Sequence, residues 1–203
     1  DSFRAGTSAG DSAQGTQAVS VGGAAGFASQ GAAAVAVGVS AGQISQGGNA
    51  VGVGRQAGYN TQSTNCTAVG AFAGNSTQGV GASAFGYGTG QYSQSSMAIA
   101  VGYEAGTWNQ GGSAIAIGRN AGKGSATVGD FQGGGAVAVG LNAGSTAQGA
   151  SSVAVGSYAG TTTQGAQATA VGFYAGNASQ GANSVAVGYY AGRTAQGSTA
   201  TAL

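Results

Sequence analysis

SSVAVGSYAGTTTQGAQATAVGFYAGNASQGANSVAVGYYAG, residues 151–192, states one phrase three times, with Gly156, Gly172 and Gly188 sixteen residues apart. The series extends back to Gly140 and, across one slip of six residues, through Gly118, Gly102, Gly86, Gly70, Gly54, Gly38, Gly22 and Gly6. A second glycine follows each marker by four residues, from Gly10 to Gly192, and the residue before it is alanine in every copy except at Thr89. Glutamine also keeps a fixed place, at Gln14, Gln30, Gln46, Gln62, Gln78, Gln94, Gln110, Gln132, Gln148, Gln164, Gln180 and Gln196. A strict period over a whole chain means one small unit copied and stacked on itself.

Each unit reads as strand and turn. Before the marker glycine stand two bulky residues one apart, as in Val35 and Val37, Ile115 and Ile117, or Val153 and Val155, with alanine between them. Period two in a segment bounded by glycines is a strand signal, and the bulky and small residues must face opposite sides. The expectation is that Val and Ile fill the interior of the coil, while the alanine face stays outside and lets another copy of the chain approach closely, the alternative being an ordinary flat exposed face. Glycine suits the corners because it accepts positive φ. The glutamines are expected to stack as an amide ladder along the axis.

Collagen requires glycine every third residue, calcium-binding β-rolls require an aspartate in every turn, and helical solenoids do not tolerate this glycine density. The fold expected is all-β, a parallel β-solenoid of about twelve 16-residue coils, some 60 Å long by the usual strand spacing. It forms a single repeat domain over residues 1–203, with a six-residue insertion within 123–131.

Composition narrows the partners. The 203 residues include 44 glycines and no proline, and five basic against four acidic side chains leave a net charge of +1. Lys123 and four scattered arginines make no basic stripe, so neither nucleic acid nor an anionic membrane is expected as a partner. No apolar run reaches the eighteen residues of a membrane span, and no signal segment opens the sequence.

SSVAVGSYAG, NSVAVGYYAG and GSAIAIGRNAG resemble the VAIG-type head repeats of YadA-like trimeric autotransporter adhesins. They are similar also to the AIGxxAGxxxQG arrays of fibre and surface proteins of large DNA viruses and phages. The resemblance covers essentially the whole chain, although sixteen residues exceed the usual adhesin repeat. It implies parallel β-rolls assembled as trimers and an extended extracellular, cell-surface or virion-surface structure used for attachment or spacing.

Catalytic parts are missing from the sequence. There is no histidine, Cys66 is the lone cysteine, and the acids Asp1, Asp11, Glu104 and Asp130 are far apart, so no enzyme activity, metal or cofactor is expected. Cys66 takes a slot held by Ala50 and Ala98 elsewhere, which reads as a small packed residue, with an interchain disulfide as the alternative. Departures from the repeat are where a partner could bind. The insertion carries Lys123, Asp130 and Phe131, a candidate partner loop or else a tolerated surface insertion, and aromatics gather after the marker glycine at Phe72, Tyr87, Tyr103, Tyr158, Phe173, Tyr174, Tyr189 and Tyr190, where rings can meet sugars or neighbouring subunits or simply cover the turn. Asn65, Asn75 and Asn177 head glycosylation sequons.

Two functions fit these features. One is a structural and adhesive module of a surface fibre, forming homo-oligomers and meeting a cell-surface receptor or glycan. The other is an ice-binding β-solenoid, which would need a regular hydroxyl column; the best column, running Ala13, Ser29, Ser45, Thr61, Thr77, Ser93, Asn109, Ala147, Thr163, Ser179 and Ala195 with the inserted coil left out, is polar but irregular. Residues 200–203 match the start of a further strand, so open strand edges could join copies end to end into a filament, as an alternative to the trimer.

Overall fold

A β-branched triplet closed off by glycine is too short to fold against anything but its own copies, and the copies are what it meets. In the computed structural model of the chain, which describes residues 1–127 and 129–203, Val19, Ser20 and Val21 pair in parallel with Val35, Ala36 and Val37. These in turn pair with Val51, Gly52 and Val53. The protein is all-β, a parallel β-solenoid with about twelve turns of sixteen residues.

Contacts divide the chain into two compact units, Asp1–Ala98 and Ile99–Leu203. The first carries one sheet of strands from Phe3–Ala5 to Ser83–Phe85 and a second from Ser12–Gln14 to Tyr92–Gln94. The other unit carries one sheet from Ile99–Val101 to Thr201–Ala202. Its second face holds the strand Trp108–Gln110 and a four-stranded sheet from Ala147–Gln148 to Ala195–Gln196. Between those two lies the insertion, and there the pairing shrinks to an isolated bridge from Gln132 to Gln148.

The corners explain the glycine columns. Every marker glycine has φ between +125° and +132°, and a Cβ on Gly54 would stand 2.6 Å from the carbonyl oxygen of Gly70 in the next coil. Glycine is therefore required twice there, by conformation and by the stacking distance. The second glycine serves a different neighbour, since a Cβ on Gly58 would lie 2.5 Å from Gln62 Oε1. Ordinary residues also take left-handed corners, including Ser40, Gln56, Phe72 and Tyr158 at φ of 56–61°, and asparagine recurs at such places in Asn49, Asn65, Asn120, Asn142 and Asn183.

The sidedness of the strands corrects the expectation drawn from sequence. Ala36, Ala68, Ala100, Ala138 and Ala170, the middle residues of their triplets, are fully buried. Two further alanine columns bury with them, Ala34 and Ala41 being members of one coil. The flanking Val and Ile side chains face outward and are half-buried to exposed, with Ile117 at 40%. The coil is too narrow for valine inside it. Alanine methyls and one glutamine amide per turn fill its section, in clusters such as Ala57, Ala68, Ala73 and Ala84. Burial here is decided by volume rather than by hydrophobicity.

Candidate interaction surfaces

The buried glutamines are the largest side chains of the interior. In the unit Asp1–Ala98 their amides form a continuous chain, each Nε2 donating to the Oε1 of the next from Gln14 through Gln30, Gln46, Gln62 and Gln78 to Gln94, at 3.0–3.1 Å. Each Nε2 also reaches a strand carbonyl, as Gln46 does with Val35 O at 2.9 Å. Ser20, in the alanine column, joins by donating to Gln30 Oε1 at 2.7 Å. In the unit Ile99–Leu203 the chain is broken. Gln110 donates to Gln132 and Gln164 to Gln180, both at 3.1 Å, whereas the Oε1 atoms of Gln148, Gln164 and Gln196 are buried without a partner. Their Nε2 groups still bond to Val137, Val153 and Val185 carbonyls at 2.7–2.8 Å. The column is therefore a structural spine with gaps that the uniform sequence spacing does not reveal.

The insertion is tied off at its base. Ser125 N–H donates to Asp130 O at 2.7 Å, Ser125 Oγ donates to Asp130 Oδ2 at 3.1 Å, and Thr127 N–H donates to Ser125 Oγ. Lys123 and Gly124 stay in the coil, with Lys123 O accepting from Trp108 N–H and Gly124 N–H donating to Ser145 O. Phe131 rejoins it by accepting from Gln148 N–H. The three residues of the candidate partner loop are thus separated in role. Lys123 Nζ is paired with Glu104 Oε2 at 2.7 Å, Asp130 closes the loop, and Phe131 is 41% exposed beside a cavity of about 310 Å³ that Gly133, Ala147, Ala150 and Thr163 help to line.

The three sequons differ in their free atoms. Asn75 Nδ2 donates to Gln56 O at 3.1 Å and Asn177 Nδ2 to Tyr158 O at 3.0 Å, so both amide nitrogens are engaged and half-buried. Asn65 lies exposed on a left-handed corner and uses Oδ1, accepting from Asn49 Nδ2 at 3.3 Å. Cys66 is a free, buried thiol donating to Gly79 O at 2.8 Å, and burial pushes its pKa up, so it is a poor nucleophile.

The aromatics make a herringbone on the second unit. Tyr158, Tyr174 and Tyr190 stack with centroids 4.8 and 5.2 Å apart, Phe173 and Tyr189 stack at 5.5 Å, and the two columns meet edge to face. Arg193 caps the array with its guanidinium 4.7 Å from the Tyr190 ring centre. On the first unit Arg55 lies 4.2 Å over Phe72.

Among the described residues, no group of three or more His, Cys, Asp or Glu side chains stands together, and no helix is long and apolar enough to cross a membrane. No family model, curated protein or solved structure matches the chain.

Proposed function

We propose that the chain is a non-catalytic structural and adhesive module of a fibre displayed outside a cell or on a virion. The observation that carries this reading is the identity of the coils. Most turns repeat the glycine contact, small-residue packing and glutamine position of their neighbours, so adding turns lengthens the array by more of the same contacts. The herringbone with Arg193 supports contact with a glycan or receptor, because aromatic faces and a guanidinium are what sugar rings and their hydroxyls meet well. Self-association into homo-oligomers belongs to the same reading.

Ice binding receives less support. The outward columns of the first sheet are mainly Val and Ile, with hydroxyls at Thr67, Ser83, Thr169 and Thr201. Thermal hysteresis in a solution of the purified chain would favour that function instead. Immunogold labelling of the intact source cell or particle tests the fibre: label on external fibres supports it, and label confined to the interior ends it.

A further inference from the structure

The packing of the coils between Phe131 and Leu203 leaves two features unused. The first is a cation. Arg193 is the single charged side chain of this stretch, and among the described residues its guanidinium meets neither a carboxylate nor a hydrogen-bond acceptor. It is held instead against the Tyr174 and Tyr190 rings, 5.4 and 4.7 Å from their centres, so the charge is positioned before any ligand arrives.

The second is an open ring face. Phe173 stacks on Tyr189 in the coil on one side, but in the coil on the other side the same place is taken by Ser157, whose carbonyl accepts from Tyr174 N–H at 3.1 Å. Serine covers no ring, and Phe173 is 40% exposed. Tyr158, next to Ser157, likewise carries a stacked ring on one face, Tyr174 at 4.8 Å, with Asn142 rather than a ring in the coil beyond. The two ring columns therefore end in a step with a hydroxyl at its foot.

We propose that this step and Arg193 bind a carboxylated saccharide, one sugar ring laying its C–H face on Phe173 beside Ser157 while a carboxylate pairs with the Arg193 guanidinium. A peptide is disfavoured because the main chain here already pairs between coils. Tyr158 N–H donates to Leu141 O and Tyr190 N–H to Phe173 O, so an extended segment finds no strand edge to join. A sugar needs only a ring face and hydrogen-bonding side chains at its rim, which Phe173 and Ser157 supply. Charge selects an acidic sugar over a neutral one, since a carboxylate matches the guanidinium fork and these coils provide no counter-charge of their own.

Isothermal titration calorimetry of the purified chain with a galacturonate trisaccharide and with its methyl ester tests the site. The acid should bind roughly tenfold tighter than the ester or better, and added salt should weaken the acid alone. Arg193→Gln should remove that preference. Ser157→Phe, which continues the ring column over the open face, should remove binding of both with circular dichroism unchanged, whereas Arg55→Gln on the other unit should change neither. Equal binding of acid and ester, binding of neither, affinity for the acid that survives both substitutions, or equally tight binding of a blocked glutamate tripeptide would overturn the proposal. The site rests on the glycan contact of the fibre reading, and the two fail separately: external immunogold label without saccharide binding ends this site and leaves the fibre.

Discussion

Gly54 and Gly48 lie on one stretch of chain and should respond to alanine in opposite ways. At Gly54 the new methyl meets the Gly70 backbone at φ +129°, so Gly54→Ala should cost about 3 kcal/mol or more in chemical unfolding. At Gly48 the nearest atom is 3.5 Å away and φ is not positive, so Gly48→Ala should fall within about 1 kcal/mol of wild type, on the stabilising side. The glutamines divide similarly. Gln62→Ala removes a buried amide that donates to Gln78 and accepts from Gln46, and should cost about 3 kcal/mol; Gln148→Ala, whose Oε1 is already unpartnered, should cost about 1 kcal/mol less. For Cys66 the folded pKa is raised above the unfolded one. Its contribution to stability is fully present below the ordinary thiol pKa of about 8.5 and is lost as pH rises toward the folded value, because only the unfolded chain then releases the proton. Cys66→Ala, matching Ala50 and Ala82, should remove that alkaline decline in a pH series of thermal melts.

At the level of the element, the insertion is a detachable piece. Residues 125–130 are closed by the Ser125 to Asp130 hydrogen bond, so deleting these six joins Gly124 to Phe131 and restores the sixteen-residue period. The deletion should leave the melting temperature unchanged or raise it, the loop-closure cost being about 1 kcal/mol or less. How much of this was legible in sequence depends on the kind of signal. Glycine and glutamine spacing exposed the coil, its strands and the place of the slip, because those columns are fixed by contacts that recur in every turn. The direction of the Val and Ala faces was not legible: alternation reports that two faces differ, and only the width of the coil decides which one is inside. An alanine before every second glycine but one, with Ala41, Ala57 and Ala73 all buried, was the available hint of a narrow interior. The gaps at Gln148, Gln164 and Gln196 lie beyond sequence altogether, since Gln164 donates to Gln180 across the same sixteen-residue spacing at which its own Oε1 receives no bond from Gln148.

On the scale of the whole molecule, stability is a sum over coils and the contacts between neighbours. The unit with the continuous amide chain should therefore outlast the unit with gaps. Native-state hydrogen exchange should find slower amides within Asp1–Ala98 than within Ile99–Leu203, by roughly tenfold or more at matched coil positions. Equal protection would show that backbone pairing alone sets local stability. The glycine-on-glycine stacking has a consequence beyond energetics. Since marker glycines stack on one another, as Gly22 does on Gly38 and Gly140 on Gly156, any turn can follow any other. Unequal crossing-over between the matching codons of two copies would add or remove whole turns while preserving every kind of contact, so turn number is a quantity that recombination can adjust without reinventing the fold.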